Sequence, residues 1–169
     1  MDDVIAATGM SSSAVYRYFR SKDELIAAAA DEALILVRDL FGKLLQQRPV
    51  PSPGEVITAM TDAVRSRASH PDYDLTRIAI QTWGEALRNP ALEERTRSFY
   101  LSVHGQLVEL SRRWRAEGRV SPEADDREIA TVLVSLMPGL LVGPHLVAGV
   151  PADELIGGLS SLGTALGDG

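Results

Sequence analysis

The sequence predicts an all-helical protein. Three observations carry that prediction. Apolar residues recur three or four apart through most of the chain, strand-like alternation is almost absent, and turn-forming clusters cut the chain into pieces of helical length. The clusters are "RPVPSPG", "HPDYD", "NP", "EGRVSPEADD" and "GVP", and they leave helical segments at 24–47, 54–69, 75–88, 91–116, 125–148 and 152–166. With 45% apolar and 24% charged residues, the 169-residue chain has the composition of an ordinary globular protein and enough length for a sizeable core.

At the amino-terminal end, "MDDVIAATGMSSSAVYRYFRSKDEL" reads as two short helices meeting at a tight turn. Residues 2–8 form the first, with Val4, Ile5 and Thr8 on its packing side. Gly9 ends it by accepting a left-handed backbone, and Ser11 caps the second. In that second helix Ala14 and Val15 turn partly inward and Phe19 closes the far end, leaving Ser12, Ser13, Tyr16 and Arg17 to project outward. Hydroxyls and a guanidinium on a short exposed helix can donate to base edges or phosphates in a major groove. Ser21 caps the next, long helix, where Lys22 and the free amides of the first turn suit a phosphate. That helix carries an apolar stripe through Leu25, Ala29, Leu36, Leu40 and Leu44, widened by Ile26, Ala33, Val37 and Phe41.

Later helices begin where side-chain oxygens precede them: Ser52 before Pro53, Asp74 before Leu75, and Asp125 with Asp126 before Ile129. Val56, Ile57, Met60, Val64, Ile78, Thr82, Trp83, Phe99, Tyr100, Val103 and Leu107 are the predicted core of a helical bundle. Bundle cavities are mostly apolar with a few polar groups. Met60, Trp83, Tyr100, His104 and Met137 combine bulk with polar or polarisable atoms, and are the candidates to line one for a small-molecule effector.

Residues 129–152 contain no formally charged side chain, and a membrane span must be weighed. "MPGLLVGPH" places two prolines, two glycines and a histidine in the middle, and the flanks are acidic; the reading is a helix covered by its own fold and a partner, with no membrane. Pro138 with Gly139 predicts a kink there. The last helix, "ADELIGGLSSLGTAL", is rich in small residues, and residues 125–166 together predict a self-complementary homodimer surface.

The net charge of -6 excludes wholesale attraction to nucleic acid, so any DNA binding must be local. There is no cysteine, hence no disulfide or thiolate site, and the acidic start lacks a secretory pattern; the expected place of action is the cytoplasm. Arginine outnumbers lysine fifteen to two, a bias that fits a GC-rich genome. His70, His104 and His145 stand apart in no ligand pattern, and no nucleophile elbow, phosphate loop or dinucleotide motif occurs. The expectation is neither an enzyme nor a protein with a metal or cofactor.

On "DDVIAATGMSSSAVYRYFRSKDEL" the chain resembles the TetR family of bacterial transcriptional regulators: the acidic start, Val4, Gly9, Ser11, the run from Val15 to Phe19, then Ser21, Lys22 and Leu25. The resemblance implies phosphate contacts at Tyr16, Tyr18 and Lys22 and base-proximal positions at Ser12, Ser13 and Arg17, beside the Ser11 cap. Family members often have a basic and a small residue where Ser12 and Ser13 stand, so base preference does not carry over. They also have a complete helix ahead of the segment matching "DDVIAATG", and the expectation is that the chain as written binds DNA poorly.

The resulting prediction is a partial helix-turn-helix DNA-binding domain at 1–46, joined by the long helix to a ligand-binding and dimerisation domain at 47–169. Two heads on a two-fold axis imply a palindromic double-stranded operator, and the expected activity is repression relieved by a small molecule. The rival reading is a helical ligand-binding or interaction dimer that no longer binds DNA.

Overall fold

The computed structural model describes residues 12–68, 75–146, 151, 154–159 and 161. Helix α1 spans Ser12–Tyr18, α2 Lys22–Gln46, α3 Pro53–Ala68, α4 Leu75–Ala86, α5 Pro90–Ala116 and α6 Asp126–Leu146, and residues 154–159 are also helical. No strand occurs among the described residues, and none of their helices is long and apolar enough to cross a membrane. The fold is all-α, with the head helix leading through α2 into a helical bundle. The helix predicted over 2–8, the Gly9 turn, the Ser11 cap and the Asp74 cap lie outside the described residues.

Local chemistry sets the helix ends. Before α3, Ser52 and Glu55 satisfy each other: the Ser52 backbone N–H donates to Glu55 Oε2 at 2.7 Å, and the Glu55 N–H donates to Ser52 Oγ at 3.2 Å. Pro53 fits the first helical position because its missing N–H would have had no helical acceptor. Asn89 starts α5 by accepting from the Ala91 and Leu92 amides, again with proline at the first position. The helix closes on Gly118 at φ 68°, where the Arg119 N–H reaches Trp114 O and the Gly118 N–H reaches Arg115 O. That double return needs the left-handed backbone glycine adopts without cost.

At α6 the two aspartates divide their work. Asp125 alone caps, accepting from the Arg127 and Glu128 amides. Asp126 reaches back to α5 instead, where Arg115 meets its carboxylate at 2.6 Å and Ser111 Oγ donates at 3.3 Å. Pro138 does not interrupt α6, which runs on to Leu146.

Helix α2 packs on α4 and α5, and α6 packs on α5 with further contacts to α3 and α4. The core gathers Phe41 and Leu44 from α2, Val56, Ile57 and Met60 from α3, Val103, Leu107, Leu110 and Trp114 from α5, and Ala130, Leu133, Met137 and Leu140 from α6. The α5 and α6 sets recur at three- and four-residue steps, one buried stripe on each helix. Of the predicted core, Val64, Phe99 and Tyr100 pack at its edge, and the Ile78 side chain lies outside the described ones.

The α2–α3 connection is fastened to α5. Trp114 is fully buried and its indole N–H donates to Pro51 O at 2.6 Å. Next to it Arg113 Nη1 donates to Leu45 O at 2.7 Å, covering a carbonyl at the end of α2. Trp114→Phe keeps most of the ring but strands the buried Pro51 carbonyl, so stability should fall by about 1–3 kcal/mol, read from urea unfolding midpoints.

The Ser52 backbone N–H, and then its hydroxyl, hold the Glu55 carboxyl below its ordinary 4.5, with Arg119 adding a smaller attraction. A carboxyl lowered in the folded state stabilises above pH 4.5 and loses that contribution as pH falls through its folded value. Glu55→Gln should therefore be less stable than the parent at pH 7 and should lose less on acidification to pH 3, the two midpoints converging.

Candidate nucleic-acid interface and ligand cleft

Helix α1 is seven residues long and offers no acid in its first turn and Arg17 in its last. Ser13, Tyr16 and Arg17 are exposed, and Tyr16 and Arg17, three and four residues after Ser13, flank it on one side of the helix. Tyr16 is 50% and Tyr18 68% exposed, high values for aromatic rings, while Phe19 is half-buried. Ser21 caps α2 by accepting from the Glu24 N–H at 3.1 Å, and Glu24 Oε2 accepts from the Arg20 N–H at 2.6 Å. The turn between α1 and α2 is thus held by the first turn of the long helix. Ser11 lies outside the described residues; Ser12 opens α1 and Lys22 opens α2, but their side chains lie outside the described ones.

A cleft of about 380 Å³ lies between α4, α5 and α6. Helix α4 contributes Trp83 and Ala86, the turn after it Leu87, α5 contributes Glu93, Thr96, Arg97 and Tyr100, and α6 contributes Pro138. The four α5 residues stand at i, i+3, i+4 and i+7, which places them along one side of the helix. Burial pushes the Tyr100 hydroxyl up to about 12, against a smaller opposing effect of its hydrogen bond with Trp83. Its ring also meets Phe99 edge-on at 5.1 Å.

The cleft unites two of the five predicted ligand positions, Trp83 and Tyr100. Met60 and Met137 sit in the core, because they continue the buried stripes of Val56 and Ile57 on α3 and of Leu133 and Leu140 on α6. His104 faces the α5–α6 seam, its Nε2 3.2 Å from Thr131 Oγ1. Thr131 spends its own hydrogen on Arg127 O at 2.8 Å, so His104 is the donor of that pair. Sequence reasoning passed over Thr96, Arg97 and Glu93; their shared helical side with Tyr100 was the available signal. No cluster of three or more His, Asp or Glu able to hold a metal occurs among the described residues.

The family model described as BetI-type transcriptional repressor, C-terminal, matches residues 53–157, and that described as bacterial regulatory proteins, tetR family, matches residues 1–29. No curated protein and no solved structure matches the chain. Regulators of this kind are not enzymes, and they bind DNA and small-molecule effectors as dimers. With the first match alone covering more than half of its length, and the second falling on the reading head, the chain belongs to the TetR family of DNA-binding transcriptional regulators.

Proposed function

We propose that the protein is a cytoplasmic repressor that binds a palindromic operator as a homodimer and is released by a small molecule held in the cleft of α4, α5 and α6. The observation that carries this reading is the pairing of an exposed donor face, Ser13, Tyr16 and Arg17, with a long helix whose far end is built into the bundle that holds the cleft. Tyr16, Tyr18 and Lys22 take phosphates, Ser12, Ser13 and Arg17 approach base edges, and Ser11 caps the helix that presents them. A domain of residues 1–46 reads DNA, and residues 47–169 bind ligand and dimerise.

Dimerisation through residues 125–166 is supported by the outer side of α6. Val132, 52% exposed, and Leu146, 76% exposed, lie with Ser135 and Gly139 at spacings of three, four and seven, a side with no formal charge. Gly157 and Gly158 are exposed while Leu155, Ile156 and Leu159 pack inward, leaving small residues on the outer side of that segment. A two-fold pairing there sets half-sites about 34–36 Å apart, or a multiple. Release follows if the effector binds the DNA-incompetent dimer more tightly, with a coupling of about 1–3 kcal/mol. Helix α4 forms one wall of the cleft and packs on α2, so a ligand that moves α4 re-aims the head.

Selection from a random duplex pool tests the reading, with enrichment of a palindrome expected. Arg17→Ala should cost about 1–3 kcal/mol on the selected site and relax preference at one position of each half-site. Tyr18→Phe should weaken all duplexes alike by about 1 kcal/mol. A pool that enriches no symmetric sequence, or an Arg17→Ala variant with unchanged preference, would count against it.

A further inference from the structure

Thr96, Arg97 and Tyr100 line one side of a cleft whose other walls are Trp83, Ala86, Leu87 and Pro138, with Glu93 at the end nearer the start of α5. Thr96 Oγ1 is buried and has no hydrogen-bond partner among the described residues. The threonines at 58, 61 and 131 return their hydroxyls to the carbonyl four residues back, a bond Thr96 does not make. Tyr100 lines the cleft beside Trp83, and burial pushes its hydroxyl up to about 12, so the phenol keeps its hydrogen and can donate it. Arg97 stands at the rim, exposed, with no hydrogen bond or ion pair among the described residues.

We propose that the effector is a hydrophobic monocarboxylate, its carboxylate held by Thr96, Arg97 and Tyr100 and its apolar body laid across Trp83, Leu87 and Pro138. The inference rests on the cleft being the effector site. Two carboxylate oxygens offer about four acceptor positions, which match a guanidinium and two hydroxyl donors. The body covers Leu87, which is 86% exposed at the edge of the cleft. Glu93, one turn from Arg97 towards the start of α5, repels the carboxylate from that end and sets the ligand's direction. A volume of about 380 Å³ suits one aryl ring with a short alkyl chain.

Isothermal titration calorimetry on the full chain provides the test, with ω-phenylalkanoates from phenylacetate to 6-phenylhexanoate, each beside its primary amide and its trimethylammonium analogue. The best carboxylate should bind at least about ten-fold more tightly than its amide, with the ammonium weakest. Arg97→Gln should bring the carboxylate down to the level of the amide and leave the amide unchanged, and Glu93→Gln should tighten the carboxylate. An amide or ammonium that binds as well as the carboxylate, with affinity lost in Leu87→Asp, would overturn the ligand class and keep the cleft as effector site. Saturation by no compound, or binding untouched by both Leu87→Asp and Arg97→Gln, would overturn the cleft itself.

Discussion

The carboxyl end of α2 ends in carbonyls that no further helical turn can satisfy, and how they are covered decides what the long helix can do. Arg113 of α5 gives Nη1 to Leu45 O, and Arg48 gives its own Nη1 to Leu45 O and Gln47 O. Guanidinium groups suit this place twice over, as donors to orphan carbonyls and as positive charge at the negative end of the helix dipole. Arg113 is itself oriented by Glu109, one turn back on α5, at 3.0 Å. Trp114 then pins the following strand of chain at Pro51, with Phe41 and Leu44 buried just before it. A helix of 25 residues is therefore built into the bundle at one end and carries the reading head at the other.

Helix α5 divides in the same way. Its first half, Glu93 to Tyr100, walls the cleft, and its second half, Val103 to Trp114, belongs to the core and holds α2. That second half is fastened by Trp114 to Pro51, by Arg113 to Leu45, and by Ser111 and Arg115 to Asp126. Sliding α5 as a unit would break all four at once. Rearranging one side of the cleft is cheaper.

The helix starts at Ser52 and Asp125 were legible in the sequence because caps are local, each acting within three residues, while Asn89 showed there only as part of a turn cluster. The two aspartates before α6 mark the limit. Adjacent in sequence, they serve different helices, and only the packing of α5 against α6 assigns Asp126 to Arg115. The uncharged run in α6 likewise conceals two sides, with Leu133 and Met137 in the core and Val132 and Leu146 outside. Trp114 carried no pattern of its own, since its partner is a carbonyl 63 residues away. The cleft was legible only at Trp83 and Tyr100, where polar aromatics stand out; Thr96, Arg97 and Glu93 look like a solvated helix face until α4 and α6 enclose them.

The proposed release of DNA asks which wall of the cleft yields to a ligand. Helix α4, with 12 residues against 27 in α5 and 21 in α6, is the shortest wall. Near its start the buried Thr76 meets His145 of α6 at 2.6 Å, which fixes that end. Its other end supplies Trp83 and the buried Ala86 to the cleft, and Leu87, just past it, stands in solvent. A pivot of α4 about its Thr76 end, with α5 keeping its four attachments, is the movement the proposed release requires. Because α2 packs on both helices, such a pivot alters one of its supports and leaves the clamp at its carboxyl end intact. A rigid lever with one support displaced swings its free end, and the free end of α2 carries Ser13, Tyr16 and Arg17.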